Sequence, residues 1–190
     1  VDRSRGLGDV YKRQTIYIDR ASLNGGYYSV DNFGHVITKN MPTWREIGYR
    51  VDRIRKLEIT QGTSYQNDYT KIHSYFGDHH NSNLDGGIID TLIISKYTRF
   101  ENNFNTIIGD IEFKGDALTA IFGSSGTFTV SNSLTFQGGN CSVITLKSTS
   151  AGNQANINLL FTNTVTATNL SIKDMAFTGS GTLVAQASVD

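Results

Sequence analysis

The densest group of potential metal ligands in the sequence is Asp78-His79-His80, with Asp85 and His73 nearby. Imidazole and carboxylate groups bind zinc and other divalent metals. Adjacent histidines in an extended segment point to opposite sides, however, so both cannot easily bind one ion. The surrounding segment reads as a polar loop, and polar loops are commonly just solvated. We therefore assign no metal, cofactor or catalytic site from this cluster.

Two glutamates at the centre of similar five-residue patterns could form an acid–base pair. Glu58 is preceded by Lys56, and Glu112 is followed by Lys114, each at a distance of two residues. Glycoside hydrolysis uses two carboxyl groups in a cleft, one of which has a raised pKa. The nearby lysines instead favour charge pairing on a solvated strand face. No Gly-x-Ser-x-Gly motif is present, so a serine hydrolase is not indicated either.

Aromatic and basic side chains concentrate in the first half of the chain. The aromatic residues that could stack on sugar rings are Tyr27, Tyr28, Trp44, Tyr49, Tyr65, Tyr69 and Tyr75. Filling a core or capping a coil end is the more common role of such side chains. The basic residues between positions 45 and 56 are interleaved with acidic ones, which indicates a mixed solvated surface. Since the formal net charge is zero, no nucleic-acid partner is predicted.

These residues must be positioned by short strands, because one pattern of alternating polar and apolar residues recurs. Its copies are Lys56-Leu57-Glu58-Ile59-Thr60, Asp110-Ile111-Glu112-Phe113-Lys114, Ser133-Leu134-Thr135-Phe136-Gln137, Asn169-Leu170-Ser171-Ile172-Lys173 and, more loosely, Thr91-Leu92-Ile93-Ile94-Ser95. Alternation places the apolar residues on one face. The leading apolar residues are separated by 35, 19, 23 and 36 positions. Repeats of this length predict the stacked coils of a β-solenoid with loops of variable length.

Composition divides the chain into two zones that meet near residue 100. All nine tyrosines lie at or before Tyr97, whereas residues 116–190 hold 22 Ser or Thr and two lysines. Small uncharged polar side chains can form ladders between coils about 4.8 Å apart without repulsion. We expect one all-β domain, a parallel β-helix over residues 15–190, with irregular Tyr-rich coils to about 100 and Ser/Thr-rich coils over 101–190. An antiparallel β-sandwich is the alternative.

The segment from Trp44 to Ile54 is ambiguous. Trp44, Ile47, Val51 and Ile54 have helical spacing, and the residues from Thr43 to Glu46 fit a capping box. Gly48 and the β-branched residues weaken a helix. We favour irregular strand structure here.

Elsewhere the composition excludes several classes of protein. The single cysteine, Cys141, permits neither an intrachain disulfide nor a cysteine-based zinc site. No apolar run approaches the roughly 18 residues that a membrane helix needs, so membrane insertion is not predicted.

Two segments carry a resemblance to a known type of protein: residues 135–157 (TFQGGNCSVITLKSTSAGNQANI) and 165–175 (VTATNLSIKDM). They resemble the large β-helical surface proteins of gliding-type environmental bacteria, which are often exported by the type IX route. Residues 15–19 (TIYID) and 39–44 (KNMPTW) are similar to the start of the same repetitive region. The resemblance implies a parallel β-helix on the outer cell surface or secreted from the cell. Residues 1–14 look like sequencing-adapter read-through, and we expect the solenoid to be truncated at both ends.

The expected function is a non-enzymatic structural or adhesive segment of such a protein. Its expected partners are the neighbouring coils of the full-length protein and glycans or surfaces. The alternative is a carbohydrate-active β-helix, either a polysaccharide lyase or a glycan-binding module. A third hypothesis is ice or mineral binding through rows of threonine such as Thr164, Thr166 and Thr168.

Overall fold

The computed structural model describes residues 15–19, 23–24, 31–39, 46–49, 51–60, 70–72, 87–100, 106–138 and 143–186. Every regular element in these ranges is a β-strand. The strands are β1 (Thr15–Asp19), β2 (Leu23–Asn24), β3 (Asp31–Lys39), β4 (Glu46–Tyr49), β5 (Val51–Ile59), β6 (Thr70–Ile72), β7 (Ile88–Ile94), β8 (Thr98–Phe100), β9 (Thr106–Lys114), β10 (Thr119–Phe122), β11 (Thr127–Gln137), β12 (Ile144–Ser148), β13 (Ala155–Leu159), β14 (Thr164–Thr168), β15 (Leu170–Lys173), β16 (Met175–Gly179) and β17 (Thr182–Gln186).

The strands form two long parallel sheets wound by one chain. Sheet A contains eight strands in the order β1-β3-β5-β7-β9-β11-β13-β16, and sheet B contains seven in the order β15-β12-β10-β8-β6-β4-β2. From β1 to β13 successive strands alternate between the two sheets, so the chain coils around a shared core. Strands β14 and β17 form a third, two-stranded parallel sheet. The predicted parallel β-solenoid is therefore confirmed, and the antiparallel sandwich is wrong.

The apolar positions of the recurring pattern form a continuous column inside sheet A. Leu57 is in register with Leu92, Leu92 with Ile111, and Ile111 with Leu134. Val36 extends the column by one strand, and all five side chains are at most 3% exposed. Burying a side chain of this size contributes about 1.5–3 kcal/mol. Each coil thus stabilises the next through the same inward position.

Leu170 does not continue that column, although it leads the last copy of the pattern. It lies in β15 of sheet B, in register with Ile144 of β12. Alternation specifies which face of a strand is buried but not the sheet to which the strand belongs. The copy at residues 169–173 therefore resembles the others and occupies a different side of the solenoid.

Alternation predicts that six apolar residues in β11, β12 and β15 point inward. Their side chains are buried to different extents. Leu134, Ile144, Leu146 and Leu170 are buried, whereas Phe136 and Ile172 are partly buried against the core. Phe136 lies beyond residues 127–130, the part of β11 that β13 covers. Ile172 lies in β15, the edge strand of sheet B.

Each long strand of sheet A has an outward corner just before the recurring pattern. Asp90 and Thr91, both half-buried, separate buried Ile89 from buried Leu92. The backbone of β9 passes close to this corner, because a Cβ added to Gly109 would collide with the Asp90 carbonyl oxygen. In β11 the register shifts between residues 130 and 133, so two residues there oppose the single Gly109.

Phenylalanines pack against one another in the core. The Phe100 and Phe122 rings stack with centroids 4.9 Å apart, and Phe128 packs edge-on against both of them at 5.5 and 5.1 Å. Phe113 and Phe136, which are in register, stack at 5.1 Å. Such aromatic pairs stabilise a fold by about 0.5–1.5 kcal/mol beyond the area that they bury.

The ambiguous segment near Trp44 is extended where the structure describes it. Glu46–Tyr49 is β4 and Val51–Ile59 is β5, so the strand interpretation is confirmed for these residues and the helix is wrong. Trp44 and the segment 1–14 lie outside the described residues. Among the described residues there is no helix with the length and apolarity needed to cross a membrane.

Candidate functional site

The histidine and aspartate cluster that was considered as a metal site, and to which no metal was assigned, lies outside the described residues. Its members are Asp78, His79, His80, Asp85 and His73. Within the ranges that are described, no three His, Cys, Asp or Glu side chains come together as a metal site would require.

Glu58 lies in a small charge cluster on the outer face of sheet A. Its carboxylate accepts a hydrogen bond from Lys56 and lies 2.9 Å from Nε2 of His35 on the neighbouring strand. The Lys56 hydrogen bond lowers the pKa of Glu58, partial burial opposes that shift, and the positive charge of Lys56 and the contact with His35 add to the lowering. A general acid needs a raised pKa, so Glu58 is unsuited to that role.

Glu112 lies in the same outward column as Glu58, two coils away. Ile93 separates them in register, which places their Cα atoms roughly 10 Å apart. On its other side Glu112 is in register with Thr135. The predicted pairing with lysine is confirmed for Glu58, and the two glutamates stand on an open strand face.

Other charges on this face of sheet A are also compensated. The Arg53 guanidinium donates to both Asp90 carboxylate oxygens, at 2.6–3.1 Å. The Ser133 hydroxyl donates to Asp110 at 2.6 Å. The outer surface of sheet A is therefore a mixed surface on which Arg53, Lys56 and their acidic partners form ion pairs, as the interleaved charges predict.

Sheet B carries a different surface, on which basic residues share one outward column. Arg99 is in register with Ile121, Ile121 with Lys147, and Lys147 with Lys173. The preceding coil places Lys71 at the same register position. We call Arg99, Lys147 and Lys173 the basic column.

The basic column borders a groove with a volume of about 360 Å³. Its lining residues are Tyr97, Arg99, Ile121, Lys147, Ser148, Thr149, Ala151, Lys173 and Asp174. Ile121 belongs to the outward column and yet is only 5% exposed. The aliphatic stems of long basic side chains commonly cover apolar surface in this way while their charged ends reach water. The groove thus combines three cationic side chains, the carboxylate of Asp174, the apolar side chain of Ile121 and one aromatic ring.

Hydroxyl groups form a second outward column beside the basic one. Thr119 is in register with Thr145, and Thr145 with Ser171. These three side chains are half-buried and lie two residues before Ile121, Lys147 and Lys173 along their strands. Sheet B therefore offers hydrogen-bonding groups parallel to its row of positive charges.

The threonine row considered for ice binding does not extend across the third sheet. Thr164, Thr166 and Thr168 are exposed on β14. Their register partners on β17 are Thr182, Val184 and Gln186. Of the three threonines, only Thr164 therefore has a threonine as its partner.

In the sequence Lys147 and Lys173 were noted only as the two lysines of residues 116–190, so the basic column was not predicted. The signal was present in two short segments, Ile144-Thr145-Leu146-Lys147 and Leu170-Ser171-Ile172-Lys173, which have the same pattern. Of the aromatic residues proposed for sugar stacking, only Tyr49 lies in a described range, and its side chain is not described. Tyr97, which was not in that set, lines the groove.

Comparison of the chain with protein-family models, with curated proteins and with solved structures finds no match. We therefore infer function from the groove, the charge pairs and the strand register. Chemically, the groove is suited to holding a negatively charged ligand.

Proposed function

We propose that this chain is a non-enzymatic structural and adhesive segment of a bacterial β-solenoid protein that is secreted or displayed on the outer cell surface. The observation that carries the proposal is the contrast between neighbouring columns of sheet A. The inward column from Val36 to Leu134 is aliphatic in every strand. The adjacent outward column consists of His35, Lys56, Thr91, Asp110 and Ser133, which range from basic through uncharged to acidic.

That contrast is what a scaffold requires. Backbone hydrogen bonds and the inward column hold the coils together, so most of the stability does not come from the outward side chains. The outward residues can then vary to contact other molecules. The sequence resemblance to bacterial surface β-helices supports the outer location.

A carbohydrate-active β-helix is the second candidate, and the basic groove is the observation that favours it. A polysaccharide lyase needs a base that removes the proton next to a sugar carboxyl group, after which the glycosidic C–O bond breaks and a C=C bond forms. Lyase-type β-helices place a basic residue beside acidic, calcium-binding ones on one exposed face. Lys147 and Lys173 lie beside Asp174 here, and Asp174 is the one carboxylate among the described residues that line the groove. Calcium prefers six to eight oxygen ligands, so the scaffold remains the better-supported proposal.

An activity assay separates the two candidates. The purified chain is incubated with a panel of acidic polysaccharides, with and without calcium, while the ultraviolet absorbance of unsaturated sugar products is followed. We expect no product in either condition. Product release that a chelator abolishes would overturn the structural proposal in favour of a lyase.

The outer location has its own test. In cells that carry the gene, an antibody raised against the chain should label intact cells or the culture medium. Labelling only after the cells are lysed would contradict the surface assignment.

A further inference from the structure

We infer that the groove beside Arg99, Lys147 and Lys173 binds a linear anionic polysaccharide that lies along the solenoid axis. The inference rests on the proposed adhesive function and names the class of molecule to which the segment adheres. Negatively charged groups along the polymer would meet Lys147 and Lys173 on adjacent coils and Arg99 two strands before Lys147.

The spacing of the charges supports this arrangement. Lys147 and Lys173 lie on adjacent strands, and Arg99 lies two strands before Lys147. Adjacent strands are about 4.8 Å apart, so the three residues sample a line of roughly 14 Å. One strand spacing is close to the length of one sugar unit in an extended polysaccharide. A charged polymer parallel to the axis can therefore stay in step with the coils.

The stacking of Lys147 on Lys173 supports a ligand as well. Like charges placed directly opposite each other destabilise a sheet. On sheet A the charges are arranged so that opposite signs meet, as in Arg53 with Asp90 and Lys56 with Glu58. On sheet B the register instead stacks Lys147 on Lys173. An anionic polymer in the groove would remove that repulsion.

The remaining lining residues suit a sugar more than a bare anion. Tyr97 provides an aromatic ring on which a sugar ring can stack, and Ile121 provides an apolar floor. The hydroxyl column of Thr119, Thr145 and Ser171 lies beside the groove and is not part of its lining, and it can exchange hydrogen bonds with sugar hydroxyls. Arg99 can hold a carboxylate or sulfate through two parallel hydrogen bonds.

A nucleic acid is the competing polyanion, and the chain as a whole does not favour it. Nucleic-acid-binding domains are generally strongly basic, whereas this chain has a formal net charge of zero. The positive charge is local to one groove, which suits a polymer of moderate charge density.

Binding measurements on the full chain test the inference. The probes are polygalacturonate, dextran sulfate, uncharged dextran and the single-stranded DNA poly(dT), titrated at low and at physiological salt. We expect polygalacturonate or dextran sulfate to bind and uncharged dextran not to bind, with affinity falling as salt rises. Tighter binding of polygalacturonate would show that the groove recognises carboxylate groups, and tighter binding of dextran sulfate would show that it recognises sulfate groups.

Variants then locate the site. Lys147→Gln and Lys173→Gln should each weaken binding up to about fivefold and together about 20-fold, while Lys147→Arg and Lys173→Arg retain binding. Lys114→Gln, an exposed lysine of sheet A, is the matched control and should bind as the unaltered chain does. Circular-dichroism melting confirms that each variant is folded.

Three results would overturn the inference: no binding of either anionic polysaccharide, unchanged affinity in the double glutamine variant, or tighter binding of poly(dT). None of these results depends on product release, so the inference can fail while the non-enzymatic assignment stands. Conversely, cleavage of a bound polysaccharide would refute that assignment without removing the binding site.

Discussion

Lys147 and Lys173 lie directly opposite each other in β12 and β15, two adjacent parallel strands of sheet B. They are also the only lysine or arginine residues between positions 116 and 190. A region that is nearly free of positive charge thus brings its two cations to one point. Since like charges in register repel, the free protein carries an electrostatic cost at this position.

That cost leads to a prediction about stability. Lys173→Gln should raise the free energy of unfolding by up to about 1 kcal/mol at low ionic strength, because it removes the repulsion from Lys147. The gain should shrink as salt screens the charges. Thermal melts of the variant and of Lys114→Gln at several salt concentrations measure the effect. A lower melting temperature for Lys173→Gln at low salt would show that attraction to nearby Asp174 outweighs the repulsion.

Leu134 provides a direct test of the inward column. Leu134→Asp should destabilise the chain by more than about 4 kcal/mol, because it removes an apolar side chain that is 3% exposed and places a carboxylate among Ile111 and other apolar groups. Denaturant unfolding followed by circular dichroism measures the loss. The matched control is Thr129→Asp, an outward position of the same strand flanked by Ile107 and Asn158. If both substitutions cost the same, the assigned register of β11 is incorrect.

The inward column could be predicted from the sequence because it depends on local information. Alternation fixes which side chains share a face, and Leu57, Leu92, Ile111 and Leu134 stand at the same position of one pattern. Leu170 shares that pattern but lies in sheet B. Its sheet could not be predicted, because a five-residue pattern does not specify which sheet of the solenoid a strand joins.

The groove could not be predicted in the same way, because it depends on register between coils. Arg99, Lys147 and Lys173 are separated by 48 and 26 positions, and the intervening loops differ in length. Only the strand pairing shows that these residues share one column. The outward corners add a further difficulty, because two consecutive outward residues interrupt the period-two alternation on which pattern reading depends.

Acid should weaken the cluster around Glu58. Its pKa in the folded protein is lowered, chiefly by the Lys56 hydrogen bond, relative to its ordinary value of 4.5. A lowered folded-state pKa means that the cluster stabilises the fold above the unfolded-state value and loses that contribution as pH falls through the folded-state value. Glu58→Gln should therefore cost about 0.3–1 kcal/mol at neutral pH, given the partial exposure of the pair, and little in strong acid.

Unfolding free energies measured across pH for four proteins check this assignment: the unaltered chain, Glu58→Gln, Lys56→Gln and the double variant. In the Lys56→Gln background the cost of Glu58→Gln should be smaller, because the largest cause of the lowered pKa is gone. An equal cost in both backgrounds at neutral pH would show that Lys56 does not stabilise the carboxylate.

The close approach of β7 and β9 at the outward corner makes a final prediction about Gly109. Alanine normally suits a strand better than glycine, so Gly109→Ala would stabilise an ordinary position. Here the added Cβ would collide with the Asp90 carbonyl oxygen. That oxygen is part of the backbone, and the new Cβ is bonded directly to the backbone, so neither atom can easily move away. We expect a loss of about 1–3 kcal/mol in the free energy of unfolding, as for other overpacked sites.

Gly152→Asn is the control, because a Cβ there meets nothing within 4 Å and asparagine tolerates the positive φ of 79°. Its cost should stay below about 1 kcal/mol. Denaturant unfolding of the two variants side by side decides the matter: if Gly109→Ala is neutral or stabilising, β7 and β9 do not approach as closely at this corner as the register requires.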